Sequence, residues 1–396
     1  MRDRPDSDAG GNTGRRLRVL ITGGGTGGHI YPGLAVAEAV AEAVPGADIR
    51  FAGTAAGLEA ELIPEAGYRL IVLPASGFRG LGLKARLAFI VNTFLGILRG
   101  MFVLIRWRPA VVLGTGGYAS VPALAAARLL GIPCALQEQN SVPGSANRLL
   151  GRWMRRIYLG FPAADRFFRR GLCRHTGNPV RRAVVEAFAG PERRDPSEEG
   201  ALNILVFGGS RGARTLNRAV MGAAGDWAAQ KGRRFLVQTG PRELGEVTAA
   251  CAHAANIEVV AYIQDMASAL RWADLVVCRA GAMTLAEIQC AGKAAILVPY
   301  PHATDDHQRH NADDCAAAGA AVVLPDEDCR GESLTRLMDG LLRDGAKLAR
   351  MGQVARNLAR PEAARLIAGD LLALAGHPAG TMLPPAERSA PTTDPK

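Results

Sequence analysis

One short unit occurs twice in this chain. Residues 17–40 read LRVLITGGGTGGHIYPGLAVAEAV and residues 203–220 read NILVFGGSRGARTLNRAV. Each is an unbroken apolar run, then a glycine-rich turn, then a helical pattern. A run such as LRVLIT, β-branched and without alternation, suits a strand buried on both faces, and therefore a parallel sheet covered by helices. After the first turn Val36, Val40 and Val44 share one helical stripe, with Glu38 and Glu42 on another side. Pro32 is expected in the first turn of that helix, where a missing N–H costs nothing. Two such starts about 185 residues apart in a chain of 396 predict two Rossmann-like α/β domains in tandem.

Further short apolar runs fill both halves. ADIRFAG, YRLIVLP, AVVLGTGG and IPCALQEQ belong to the first; RRFLVQTG, IEVVAYI, ADLVVCRAG, AAILVPY and AAVVLP belong to the second. Strands alternating with helical stretches imply parallel sheets wound by right-handed crossovers. The stretch 188–201, FAGPERRDPSEEGA, reads as the loop before the second sheet. Residues 1–16 lack the apolar core of a signal peptide and read as a disordered leader, and 377–396 as a disordered tail. In parallel α/β sheets, ligands bind at the carboxyl ends of the strands. Five polar clusters fall at such ends: TGGGTGGH (22–29), GTGGY (114–118), QEQN (137–140), GGSRG (208–212) and RAGAMTLAE (279–287). Five clusters on one kind of edge, in two domains, predict a cleft between facing domains.

Gly23, Gly25 and Gly28 also spell G-x-G-x-x-G, the dinucleotide fingerprint. That site needs an acid at the end of the second strand for the ribose hydroxyls. The second strand ends in Gly53-Thr54, Asp48 stands at its wrong end, and the next acid is Glu59. A nicotinamide enzyme is therefore disfavoured. Seven scattered cysteines without C-x-x-C argue against a zinc site or a disulfide framework and for a reducing compartment. The net charge of +10 suggests an anionic partner, either a phosphorylated ligand, an acidic lipid surface or nucleic acid. Against nucleic acid stand the lack of a recognisable module and an aromatic content of only 5%.

The ordered set GGGTGGHIYPGLAVAEA, ASGFRG (75–80), VVLGTGGY (111–118), EQN (138–140), GNPVR (177–181), GGSRGAR (208–214) and CRAGAMTLAE (278–287) resembles the MurG family of UDP-N-acetylglucosamine (UDP-GlcNAc) transferases, from about Arg18 to about Ala375. The resemblance implies the GT-B fold: two Rossmann-like domains at 17–176 and 177–359, with a helix at 360–376 returning to the first. It implies inverting transfer of GlcNAc to the 4-hydroxyl of a lipid-linked muramyl-pentapeptide. It implies no cofactor and no bound metal. It also implies attachment to the cytoplasmic face of the inner membrane, with partners among cell-wall synthesis proteins. Another UDP-GlcNAc enzyme of this fold, such as a 2-epimerase, stays open as an alternative.

The resemblance also implies roles. On the donor side, Ser210 and the backbone and hydroxyl around Ala282, Met283 and Thr284 would hold the diphosphate, with Leu285 and Ala286 also on the donor-binding stretch. Glu287 would bond the ribose, Ile263 would offer backbone groups to uracil, and Arg181 would add positive charge. Asn140 and Gln308 would meet the sugar. Thr26, Gly27 and Gly28 lie where donor and acceptor meet and would bind the acceptor's diphosphate, with Tyr118 lining the same side. His29, at a helix N-terminus whose dipole favours the neutral ring, would be the general base, with Glu138 the alternative. Two departures from the family pattern stand out: Gln137 where histidine is usual, and His307 where glutamine is usual. Outside any resemblance, serine and threonine here could simply cap helices, and Glu287 could be solvated. His302, Asp305, Asp306, His307 and His310 crowd one stretch, in a spacing that fits no familiar metal site.

Residues 66–137 hold no acid at all. Within them, 76–109 alternates Arg79, Lys84, Arg86, Arg99, Arg106 and Arg108 with Phe, Leu, Ile and Trp107. The 19 residues Leu87 to Ile105 approach a membrane span, but Arg99, Asn92 and two glycines dilute it. The expectation is helices partly in the first core, with a basic, apolar surface resting on anionic lipid.

Overall fold

The computed structural model describes residues 16–77, 83–190, 200–209 and 212–377. Two parallel sheets organise it. The first contains β1 (Arg18–Gly23), β2 (Asp48–Gly53), β3 (Arg69–Val72), β4 (Val111–Gly116), β5 (Cys134–Glu138), β6 (Arg156–Leu159) and β7 (Cys173–His175) in the order β3-β2-β1-β4-β5-β6-β7. The second contains β8 (Leu202–Phe207), β9 (Arg233–Gln238), β10 (Ile257–Val260), β11 (Leu275–Cys278), β12 (Ala294–Leu297) and β13 (Ala321–Val323) in the order β10-β9-β8-β11-β12-β13. In both, the strand that opens the domain sits centrally, and the chain reverses direction beside it. That reversal is the switch point where α/β sheets hold ligands.

Why these runs become strands is visible in their burial. Val111, Val112 and Leu113, like Leu275, Val276, Val277 and Cys278, are wholly enclosed, because helices cover both faces. Helices α1 (Gly27–Ala43) and α2 (Glu59–Glu65) flank the first sheet; α7 (Arg214–Ala228) and α10 (Ala282–Ala291) flank the second. The last helix, α14 (Ala363–Leu374), leaves the second domain: Ile367, Ala368, Leu371 and Leu372 enter the core formed by α1 and the first sheet. Asp370 beside them accepts from Tyr158 at 2.8 Å and pairs with Arg156 and Arg174 at 3.2 and 2.8 Å.

Three sequence expectations change. Pro32 lies inside α1, because the helix already starts at Gly27 with Thr26 as its cap. Its first turn is tight: the Thr26 carbonyl accepts from both His29 and Ile30. Strands β6 and β7 add to the expected set, since RIYL and CRH are too short to carry a sequence pattern. The basic apolar segment is one continuous helix, α3 (Leu83–Trp107). Its inner face reaches the domain through Gly96 and Gly100. A side chain at Gly96 would strike the Pro74 carbonyl, and one at Gly100 would press on Ala126 of α4 (Val121–Leu129). Its outer face carries Ile90, Phe94, Leu98, Phe102 and Ile105, all about half exposed or more. The leader to residue 15, the tail from 378, and 191–199 of the interdomain loop lie outside the described residues, as do 78–80 of the ASGFRG motif.

Candidate active site

His29 stands in the first turn of α1, half-buried against the ends of β4 and β5. Its Nδ1 lies 3.1 Å from the Thr115 carbonyl and 3.2 Å from Gln139 Oε1. Burial holds its pKa below the ordinary histidine value; the hydrogen bonds to Gln139 and Thr115 and the charge of Glu59 oppose that, and His307, across the gap, reinforces it. The ring is therefore neutral at pH 7, the state in which one nitrogen can take a proton. The Thr115 hydroxyl donates to the His29 carbonyl at 2.6 Å, fixing the first turn of the helix to β4.

The glycine turn before it, with Gly25 at φ +87°, bends around a carboxylate. Glu59, fully buried, accepts from Gly25 N at 2.8 Å, Thr54 N at 3.0 Å and Thr54 Oγ1 at 2.7 Å. Burial alone would raise this carboxyl; the donors outweigh burial and hold it below the usual range. Thr26 makes no side-chain cap, so the amides of Gly27 and Gly28 remain open at the start of α1. Tyr118 lies beside this turn and is 36% exposed, enough to meet a ligand.

Glu138, the alternative base, is placed differently from that expectation. It is 1% exposed, with Oε1 accepting from Asn140 N and Nδ2 and Oε2 from Asn147 Nδ2 at 2.8 Å. Burial raises its pKa against those donors. With both oxygens engaged inward, it shapes the loop that carries Asn140. That loop joins the two halves. Asn140 Oδ1 accepts from Asn311 Nδ2 at 3.1 Å, and Asn311 Oδ1 accepts from Ser141 N and Oγ at 2.9 and 3.1 Å.

On the second domain, α10 begins at Ala282 after the Gly281 cap, with no side chain capping it. The amides of Ala282, Met283 and Thr284 are thus unclaimed by any side chain, at the positive end of the helix dipole. Leu285 and Ala286 are buried and anchor the helix rather than face a ligand. Glu287, expected at the ribose, forms an ion pair of 2.8 Å with Arg181 Nε, and the guanidinium lies 5.1 Å from the ring of Tyr31. Burial, with Tyr262 beside it, pushes the Tyr31 hydroxyl up to about 12. Gln308, in the first turn of α11 (His307–Ala317), accepts from Tyr300 N at 3.0 Å, leaving its NH2 to donate. The two residues before this helix, Asp305 and Asp306, hold φ of 54° and 50°, a left-handed backbone uncommon outside glycine.

Ile263 departs from its expected role in one respect. Its N–H already donates to Gln238 Oε1 at 2.9 Å. Gln238 Nε2 in turn donates to the Gly209 carbonyl at 2.9 Å, so one buried carboxamide ties the second glycine turn to Ile263. Ser210 lies outside the described residues. Sequence reasoning missed Gln238, Asn311, Gln139 and the plugging role of Glu59. Gln238 left a signal as a polar residue ending a buried strand, and Gln139 stood within the QEQN cluster without a role of its own. Among the described residues no three metal-binding side chains gather, the histidines and aspartates of 302–310 included.

The glycosyltransferase family 28 N-terminal domain model matches residues 19–159, and the family 28 C-terminal domain model matches 203–367. A Geobacter sulfurreducens protein named UDP-N-acetylglucosamine--N-acetylmuramyl-(pentapeptide) pyrophosphoryl-undecaprenol N-acetylglucosamine transferase is 42% identical over 90% of this chain and 98% of its own. The Anaeromyxobacter dehalogenans (strain 2CP-C) protein of that name is 40% identical over 96% of this chain and 99% of its own. The crystal structure of Acinetobacter baumannii MurG superposes with a TM-score of 0.72 at 31% identity, covering 90% of this chain and 99% of that one. A UDP-GlcNAc 2-epimerase from Neisseria meningitidis shares the fold alone, with a TM-score of 0.63 at 12% identity over 90% of this chain and 100% of that one.

Proposed function

This chain belongs to glycosyltransferase family 28, among the MurG transferases, and on that footing we propose that it moves N-acetylglucosamine from UDP-GlcNAc to the 4-hydroxyl of undecaprenyl-diphospho-MurNAc-pentapeptide, inverting the sugar carbon. The observation that carries the mechanism is a neutral, half-buried His29 on one domain and an uncapped α10 on the other, in halves joined through Asn140 and Asn311.

His29 Nε2 takes the proton of the acceptor hydroxyl as its oxygen forms a bond to the sugar's C1. The C1–O bond to UDP breaks on the opposite face, and the electron pair leaves with the diphosphate. The amides of Ala282, Met283 and Thr284, the turn containing Ser210, and Arg181 stabilise that growing charge. Glu287 holds Arg181 and offers its second oxygen to the ribose. Ile263 meets uracil through its carbonyl, its N–H being engaged. Gln308 donates to a sugar hydroxyl, and Asn140 has one amide hydrogen left for the same purpose. Thr26, Gly27, Gly28 and Tyr118 receive the acceptor's diphosphate end.

The protein works peripherally, at the cytoplasmic face of the inner membrane. The exposed face of α3, with Arg99, Arg106 and Arg108 beside its apolar side chains, lies on anionic lipid and keeps the cleft near its lipid-linked substrate. By length and composition Ala88–Trp107 could cross a bilayer, but the close packing of Gly96 and Gly100 on the domain holds it along the surface.

The decisive experiment measures UDP release with and without the lipid-linked acceptor. Release that requires acceptor, with a β-linked disaccharide product, is expected. Acceptor-independent release of UDP with an epimerised sugar would reject transfer in favour of epimerisation.

A further inference from the structure

We propose that Gln139 is a positioning residue that holds His29 in its proton-accepting tautomer, and that a one-way chain of buried amides imposes its direction. The inference rests on the reading of His29 as base.

The chain starts at an atom that can only accept. The main-chain carbonyl of Gln139 receives Asn178 Nδ2 at 3.0 Å. Asn178 therefore turns Oδ1 toward the Gln137 carboxamide, 2.9 Å away, which must answer with its NH2. Gln137 Oε1 then faces Gln139, whose Nε2 must lie there. The same Nε2 sits 2.6 Å from a second pure acceptor, the Thr115 carbonyl. Gln139 Oε1 is left against His29 Nδ1, where the Thr115 carbonyl also stands. Two acceptors facing Nδ1 require its proton to be there, so Nε2 keeps the lone pair.

Burial gives the chain its force. Gln137, Gln139 and Asn178 are 0, 2 and 5% exposed, so flipping any one amide would set oxygen against oxygen with no water to relieve it. The chemistry of the orienting group matters as well. A carboxylate in this place would stabilise the imidazolium and raise the ring's pKa, so that more of the ring would already hold a proton at rest. A carboxamide fixes the tautomer without adding charge. The charged groups that act on the ring from neighbouring elements are Glu59 of α2 and His307 of α11, and both act through space. Gln137, where the family commonly has histidine, makes this relay wholly uncharged in the present chain.

The test is nitrogen NMR of 15N-histidine-labelled full-length protein, with His29 signals identified by their loss in His29→Ala. At pH 7.5 the wild type should show a neutral ring protonated on Nδ1. Gln139→Leu leaves the Thr115 carbonyl as the one acceptor at Nδ1, so an Nε2-protonated fraction should appear and the loosened ring should lower kcat about tenfold, with the Kd for UDP-GlcNAc changed less than twofold. Gln139→Glu keeps an acceptor and adds a charge; the acid limb of its kcat profile should move to higher pH, with activity recovering on the alkaline side. An Nε2-protonated or cationic ring in the wild type overturns the proposal, and so does a Leu variant with unaltered tautomer and kcat. Should the Leu variant fail to fold, the wild-type spectrum decides. Wild-type protein that has the Nδ1-protonated ring yet transfers no sugar would reject the transferase reading while upholding the orienting role of Gln139.

Discussion

The two glycine turns of this molecule look alike in sequence and are built on opposite electrostatics. Each follows the central strand of a parallel sheet, and each passes through a glycine at φ +87°, Gly25 in one and Gly209 in the other. Beneath the first sits the ionised carboxylate of Glu59, bonded to the Gly25 amide. Beneath the second sits the neutral carboxamide of Gln238, bonded to the Gly209 carbonyl. A carboxylate consumes an amide that could bind phosphate and adds a like charge. A carboxamide that donates to the carbonyl takes up none of the turn's amides itself. On the proposed reading the second elbow takes the nucleotide diphosphate, while the first, with one amide spent on Glu59 and a histidine after its glycines, keeps the amides of Gly27 and Gly28 for the acceptor. The lesson is that a glycine fingerprint specifies a backbone shape, and the residue packed under it decides what the shape will hold.

The sharpest way to break this contrast is to remove the group that only the first turn carries. His29→Ala should lower turnover by about 10²- to 10⁴-fold while UDP-GlcNAc binding, measured by calorimetry, stays within twofold. Near-normal turnover would take the base away from the first turn. Glu59→Ala should cost about 2–4 kcal/mol in chemical denaturation, since two buried donors and one part-buried donor lose their acceptor. A stability change within 0.5 kcal/mol, as at an ordinary surface site, would mean that the carboxylate does not hold the turn. The second turn should respond in binding: Gln238→Leu is expected to weaken UDP-GlcNAc by about tenfold and uridine by less, because it loosens the diphosphate turn and Ile263 together. Equal losses for both ligands would confine Gln238 to the base site.

A smaller effect concerns pH. Glu59 has a folded-state pKa below its ordinary value, so its stabilisation is complete above the unfolded value of about 4.3 and fades as pH falls through the folded one. Glu138 is shifted the other way, so it costs stability once ionised. Glu59→Gln should therefore flatten the acid limb of the stability curve, and Glu138→Gln should not. The smallest expected effect separates the domains at the membrane. Full-length protein should co-sediment with phosphatidylglycerol vesicles, less so at high salt, and Phe94→Ser with Phe102→Ser should weaken that binding several-fold without altering soluble-donor affinity. Salt-insensitive or absent sedimentation would remove α3 from the lipid.

Much of the architecture was legible because parallel sheets announce themselves. Runs such as LRVLIT, AVVLG and ADLVVC cannot be hidden except between helices, and their glycine-rich ends mark the ligand edge. β6 and β7 escaped because four and three residues carry no periodicity. Pro32 misled because proline favours first turns, whereas here the glycines before it were recruited into the helix by the Thr26 carbonyl. At the site, the residue types were readable and their engagements were not. Arg181 and Glu287 stand 106 positions apart and meet; Asn140 and Asn311 stand 171 apart and meet.

The sequence by itself determined two wound sheets, their glycine elbows, the family and the chemistry that family performs, since each is written in local pattern or ordered motif. Only the tertiary structure decided which polar atoms are free. A hydrogen bond between distant segments depends on packing that brings them within 3 Å, and no window along the chain encodes that distance. For this reason Glu138 reads as an alternative base in the sequence and as a brace in the fold, while Gln139, named in the sequence only as part of a motif, stands against the histidine.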